Sequence, residues 1–130
     1  MERGHVMPAN RLRVLCIDDN RDVADSEAMM LDLHGYDARA CYSGTAAVLE
    51  AEEFDPHVCL VDLDMPGMDG CEVAATLRGP GTGLPVMVAV TARGGVAERR
   101  RTAEAGFAAH LVKPVEPAVL FATIGRLTGA

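Results

Sequence analysis

Val58-Cys59-Leu60-Val61-Asp62-Leu63-Asp64-Met65-Pro66-Gly67-Met68-Asp69-Gly70 joins a short apolar run to a carboxylate and then to a Pro-Gly turn. A continuous apolar run of this length suits a strand buried on both faces of a parallel sheet. The same ending recurs along the chain. Asp18 and Asp19 follow Val14-Leu15-Cys16-Ile17, Thr91 follows Val86-Met87-Val88-Ala89-Val90, and Lys113-Pro114 follows Leu111-Val112. Open parallel sheets bind ligands at the carboxyl ends of their strands. One sheet edge therefore gathers the carboxylates of Asp18, Asp19 and Asp62, a hydroxyl and an ammonium. That set suits a divalent cation and a phosphoryl group.

The intervening segments read as helices. Arg21 to His34 carries Ala24, Ala28 and Leu31 at i, i+4 and i+7, with Asn20 as N-cap and Gly35 as the stop. A second helix starts after Ser43-Gly44 and ends near Glu53. A third follows Asp69, with Glu72 three residues later in a capping-box-like start. Val96 to Ala105 is the fourth, ending at Gly106. The fifth opens at Glu116-Pro117 and faces inward through Leu120, Ile124 and Leu127. Strands are predicted over Arg13–Asp18, Asp37–Cys41, His57–Asp62, Pro85–Val90 and Ala109–Val112. Gly79-Pro80-Gly81-Thr82-Gly83 lacks the Lys-Ser/Thr of a phosphate loop and reads as a plain connection. Strands alternating with helices imply an α/β fold, a doubly wound parallel sheet covered on both faces.

A chain of 130 residues fits one domain, read here as residues 11–130 behind an N-terminal tail or cloning remnant, 1–10. The net charge of −7 argues against nucleic acid or an anionic membrane as the main partner. No apolar run nears the ~20 residues of a membrane span, and no secretory signal is apparent. Cys16, Cys41, Cys59 and Cys71 form no CxxC pair, and read as reduced thiols of a cytoplasmic protein.

At ~5 Å and an effective dielectric of about 20, two carboxylates repel by about 3 kcal/mol. Converging Asp side chains therefore call for a cation. Mg²⁺ fits as a hard ion that takes carboxylate, carbonyl and water oxygens. Asp18 and Asp19 are adjacent at a strand end, so at most one points straight at the ion. A carboxylate such as Asp62 can act as a covalent nucleophile, forming an aspartyl phosphate. Lys113 supplies a point charge for the phosphoryl group and Thr91 a hydroxyl.

These motifs together, Asp18-Asp19-Asn20, Asp62-Leu-Asp-Met-Pro-Gly-Met-Asp-Gly, Thr91-Ala92 and Lys113-Pro114, resemble a bacterial response-regulator receiver domain over about Leu12 to Leu127. The resemblance implies a flavodoxin-like (βα)5 fold with five strands in the order 2-1-3-4-5. It implies that Asp62 takes phosphoryl from a phosphohistidine on a sensor histidine kinase or a histidine phosphotransfer domain. It implies that Mg²⁺, or Mn²⁺ in its place, is held by Asp19, Asp62 and the backbone carbonyl of Asp64, with Asp18 acting through water. Lys113 would pair with the acyl phosphate and Thr91 would move to bond it. The family's switch residue falls at His110, where Phe or Tyr is commoner, and its output surface is the fourth helix, fifth strand and fifth helix. Asp64 and Arg93 would flank the cleft and tune access of hydrolytic water. Gly94-Gly95 gives the loop after Thr91 freedom to move.

The chain catalyses, on this reading, only its own phosphorylation and dephosphorylation. It is expected to be either a stand-alone regulator or the excised receiver of a longer protein such as a hybrid sensor kinase. Arg99-Arg100-Arg101 reads as a solvated helix face, with an acidic docking partner as the alternative. Asp62-Leu63-Asp64 also matches the Asp-x-Asp of haloacid-dehalogenase-like phosphatases, but Asp18-Asp19 precede it, Met65 replaces the usual Thr or Val, and no cap domain is present. A binding module with a vestigial acidic cluster is disfavoured because every key residue is retained.

Overall fold

A computed structural model of the chain describes residues 11–65, 67, 69–78 and 85–129. The tail 1–10 and the Gly79–Gly83 connection lie outside the described residues. The elements follow in strict alternation: β1 (Arg13–Ile17), α1 (Arg21–Leu33), β2 (Asp37–Cys41), α2 (Gly44–Phe54), β3 (Val58–Asp62), α3 (Gly70–Leu77), β4 (Val86–Thr91), α4 (Val96–Glu104), β5 (Ala109–Val112) and α5 (Pro117–Thr128). The strands form one parallel sheet in the order β2-β1-β3-β4-β5, the order implied by the resemblance.

The local signals act as their chemistry requires. Asn20 Oδ1 accepts from the Val23 N–H and caps α1, and Gly35 leaves the helix at φ +107°, a conformation that glycine adopts without a Cβ clash. The Asp69 carboxylate takes the Cys71 N–H while its carbonyl takes that of Glu72, so α3 is capped by Asp69 one position earlier than a capping box predicts. Pro117 opens α5. The strand ends shift slightly: β1 stops at Ile17, yet the Asp18 N–H still bonds the Cys41 carbonyl at 3.0 Å.

Alternating side chains split the core into two layers. Val14, Cys16, Val58, Leu60, Val88 and Val90 pack with Leu31 of α1 and with Leu120 and Ile124 of α5. Leu15, Ile17, Cys59, Val61, Met87 and Ala89 pack with Ala47 and Phe54 of α2, Val73 and Ala74 of α3, and Phe107 beyond α4. Leu127 is only partly buried at the end of its stripe. Among the described residues no helix is long and apolar enough to cross a membrane.

The period of two then sorts the residues at the strand ends. Asp18, Asp62 and Lys113 continue the rows that face α1 and α5. Thr91 and His110 continue the rows of the opposite layer, and His110 reaches Thr102 of α4. The register Ile17 against Val61 puts Asp18 beside Asp62 one step further on.

Helix α1 offers an internal test of this packing. Leu31 is fully buried and Leu33 is 83 % exposed. Urea denaturation is expected to show Leu31→Ala losing about 2–5 kcal/mol, and Leu33→Ala changing stability by less than about 0.5 kcal/mol.

Candidate functional site

The carboxyl edge of the sheet holds its polar residues by continuing the backbone ladder past the strands. The Leu63 N–H bonds the Val90 carbonyl at 2.9 Å, and the Lys113 N–H bonds the Thr91 carbonyl at 2.8 Å. The Lys113–Pro114 peptide bond is cis. Side chains at this edge are therefore placed by main-chain bonds.

Lys113 Nζ lies 3.1 Å from Asp62 Oδ1 and 3.3 Å from Asp18 Oδ2. Both carboxylates are 3 % exposed, whereas Asp19 faces solvent. One carboxylate oxygen from each of Asp18, Asp19 and Asp62 lies within 4.8 Å of the others. Asp18 Oδ1 also accepts from the Asn20 N–H, and Asp62 Oδ1 from the Asp64 N–H, each at 2.9 Å. The structure thus brings together Asp18, Asp19, Asp62 and Lys113, and places the Asp64 main chain against them. Three hard oxygen donors at this spacing fit a small divalent cation.

Thr91 is buried, and its hydroxyl lies 3.2 and 3.3 Å from the two carboxylate oxygens of Asp64. The Ala92 N–H donates to Asp64 Oδ2 at 2.9 Å, and the Arg93 N–H donates to Thr91 Oγ1 at 3.1 Å. The Asp64 side chain therefore crosses from the end of β3 to the end of β4. His110 stands apart from the carboxylates, half-buried under α4. Its Nε2 lies 2.8 Å from the Arg93 carbonyl, which only accepts, so Nε2 carries the hydrogen. Its Nδ1 lies 3.0 Å from Thr102 Oγ1. Arg99 reaches the Gly94 carbonyl, and Arg101 pairs with Asp69 and Glu98. Two of the three consecutive arginines thus have partners within the fold.

The electrostatics follow from burial and crowding. Burial pushes the Asp62 carboxyl above its ordinary value, and the Asp18 charge adds to it, against the downward pull of the Asp64 amide and Lys113. Burial lowers the Lys113 ammonium, but the hydrogen bond to Asp62 and the charges of Asp62 and Asp18 outweigh it and leave Lys113 raised. Burial also pushes the core thiols up, Cys59 to about 12 and Cys41 to about 11.

Sequence reasoning missed Glu27. This α1 residue lines a cleft of about 620 Å³ with Val23, Val90, Lys113, Pro114 and Val115. Burial, then the charges of Asp18 and Asp62, raise its carboxyl to about 7, with Lys113 pulling the other way. A signal was present: Glu27 lies between Ala24 and Leu31, beside Ala28, in the buried stripe of the helix.

Comparison with known proteins agrees with this architecture. The sequence profile described as response regulator receiver domain matches residues 14–125. The response regulator MprA of Mycobacterium tuberculosis is 37 % identical over 103 residues, 79 % of this chain and 44 % of that protein. MprA of Mycobacterium leprae is 35 % identical over 116 residues, 89 % of this chain and 50 % of that protein. The chain thus spans about half the length of the curated relatives it matches. The chemotaxis protein CheY4 of Vibrio cholerae superposes with a TM-score of 0.83 at 24 % identity, covering 89 % of this chain and 98 % of that one. A CheY-like receiver domain from Methanospirillum hungatei gives 0.82 at 24 % identity, covering 91 % and 94 %. The chain belongs to the response regulator receiver domain family of two-component systems.

Glu27 makes stability depend on pH. Its carboxyl is raised in the folded chain, so between the ordinary value of 4.5 and about 7 the folded form keeps a proton that the unfolded form has lost. Stability therefore falls as pH climbs through that window, by roughly 3 kcal/mol. Glu27→Gln, unfolded in urea without divalent ions, is expected to match the wild type at pH 4 and to exceed it at pH 8 by about that amount. A difference between the two proteins that is independent of pH would exclude this role of Glu27.

Proposed function

We propose that the chain is a phosphoacceptor module in which Asp62 receives a phosphoryl group from a phosphohistidine on a sensor histidine kinase or a histidine phosphotransfer domain. The observation that carries this reading is Lys113 Nζ lying between Asp62 and Asp18, 3.1 and 3.3 Å from their oxygens, with Asp19 beside them. Phosphoryl transfer needs mainly positioning and charge neutralisation. An Asp62 carboxylate oxygen forms the bond to phosphorus as the donor's phosphorus–nitrogen bond breaks. The electron pair stays on the leaving imidazole, which takes up a proton.

Asp19, Asp62 and the Asp64 carbonyl would hold Mg²⁺, or Mn²⁺ in its place, with Asp18 acting through water. The ion supplies charge neutralisation for the phosphoryl oxygens. Lys113 holds the acyl phosphate as a counter-charge. Thr91 turns its hydroxyl toward the new anion, and His110 relays the change to the surface of α4, β5 and α5. This reading serves the domain whether it acts alone or as the receiver of a longer protein, including a hybrid kinase. The phosphatase alternative has no support from the family match.

Intact mass after incubation with acetyl phosphate and Mg²⁺ tests the acceptor. The wild type is expected to gain one phosphoryl group, and Asp62→Ala or omission of Mg²⁺ to abolish the gain. No gain in the wild type with either acetyl phosphate or phosphoramidate would oppose the reading.

The cation site has a readout independent of phosphorylation. A ligand that binds only the folded chain stabilises it by roughly 1.4 kcal/mol at about ten times its dissociation constant. Mg²⁺ is expected to raise the melting temperature of the wild type, and to leave that of Asp19→Asn nearly unchanged.

A further inference from the structure

The Asp64 carboxylate occupies two hydrogen-bond donors at the end of β4. The Thr91 hydroxyl lies 3.2 and 3.3 Å from its oxygens, and the Ala92 N–H bonds Oδ2 at 2.9 Å. These two donors converge on one anionic group. The backbone sets them on the strand beside Asp62, because Asp62 pairs with Val90 in the register and Thr91 follows directly. The Asp64 N–H in turn donates to Asp62 Oδ1 at 2.9 Å. A phosphoryl group on Asp62 adds anionic oxygens at the end of β3, the strand next to the one that carries these donors. A hydroxyl has a single hydrogen to donate. Two anions, one resident and one arriving, therefore compete for it.

We propose that the Asp64 carboxylate is a built-in competitor for the phosphoryl group, a latch that holds Thr91 and Ala92 until the acyl phosphate displaces it. The inference rests on the reading of Asp62 as phosphoacceptor. Asp64 acts through Thr91 and is a positioning residue. Its side chain is exposed, so the latch opens toward solvent without disturbing the core. When it opens, Thr91 Oγ1 is free to turn, and the Arg93 N–H that donates to it at 3.1 Å is disturbed with it. The Arg93 carbonyl is held by His110 Nε2 at 2.8 Å, so release at Asp64 reaches the ring under α4 within three hydrogen bonds.

The latch predicts two effects that a simple charge effect does not. Beryllofluoride, which mimics the phosphoryl group, serves as the probe at fixed Mg²⁺. Asp64→Ala is expected to bind it roughly tenfold more tightly, the size of one charge-assisted hydrogen bond. Removing a negative charge alone also tightens binding, so the decisive measurement is a double-mutant cycle with Thr91→Ala. The latch predicts that the gain from Asp64→Ala shrinks by at least half when Thr91 is already Ala. Plain repulsion predicts the same gain in both backgrounds, and that result overturns the latch. Amide hydrogen exchange at Ala92 in the unphosphorylated chain is the second readout. It is expected to quicken in Asp64→Ala and to lie between the two in Asp64→Asn, which keeps one acceptor. Unchanged exchange at Ala92 in Asp64→Ala also overturns the latch. A wild type that takes neither beryllofluoride nor phosphoryl overturns the phosphoacceptor reading and the latch with it, whereas a wild type that binds while the cycle is additive overturns the latch alone.

Discussion

The ammonium of Lys113 between the buried carboxylates of Asp18 and Asp62 is the interaction on which the rest of the site depends. Those carboxylates sit on neighbouring strands, and neighbouring strands are only about 4.8 Å apart. Without a cation they would repel in a place that excludes most of the water. Removing one partner from a buried ion pair costs roughly 3–5 kcal/mol in general, because the other charge is left stranded. Lys113 can serve here only because four strands, β1, β3, β4 and β5, agree in register. It comes from β5 and reaches across β4 to acids on β3 and β1. A slip of one residue in β5 would turn Lys113 to the α4 side and bring His110 or Val112 into its row. The ion pair is thus a consequence of the sheet's alternation, and it also constrains that alternation.

The same alternation divides the labour of the edge. Asp18, Asp62 and Lys113 face α1 and α5, while Thr91 and His110 lie in the opposite layer, with His110 against α4. A run of hydrogen bonds joins the two sides: Asp62 to the Asp64 amide, Asp64 to Thr91, Thr91 to the Arg93 amide, the Arg93 carbonyl to His110, and His110 to Thr102. Contiguity of this kind does not by itself transmit anything. Coupling requires an element with two discrete arrangements that both ends bias. Thr91 has the needed character, since its one hydroxyl hydrogen can serve only one acceptor at a time. Thr102 has it too, lying 3.0 Å from both the Arg99 carbonyl and His110 Nδ1.

Most of the fold was legible because its strands are buried on both faces, which makes each a continuous apolar run that ends abruptly at a polar residue. Val58–Val61 is the clearest case, with every side chain buried. Strand β2 was harder to read because it is an edge strand with one neighbour and a largely half-exposed pattern. Continuous runs carry a further loss: they hide which residue faces which helix, so the separation of His110 from the carboxylates emerged only from packing. The placement of Asp18, Asp19, Asp62 and Lys113 at one edge was legible from strand ends alone. The reach of Asp64 to Thr91 and Ala92 was not, because it depends on the path of an irregular loop that periodicity does not encode. The sequence expectation placed that side chain at the rim of the cleft, and the structure carries it across to β4.

Glu27 and Asp62 are two expressions of one imbalance. Asp18 and Asp62 hold the Lys113 ammonium, Asp19 lies beside them, and the carboxyls of Glu27 and Asp62 are both raised, first by burial, with acidic neighbours adding to it. A sequence selected for stability alone would not keep a carboxyl in the buried stripe of α1, where an apolar residue continues the row of Ala24 and Leu31. Departures from the simplest stable pattern are expected to concentrate where a protein works. Here the departure has a definite sign. It makes the edge under-neutralised, so that any cation approaching it is favoured by more than the few carboxylates it touches. Under the proposed function, each negative charge retained near Lys113 would strengthen the hold on a divalent ion. On the phosphoacceptor reading proposed above, the same charges would oppose an arriving phosphoryl group until a cation had bound.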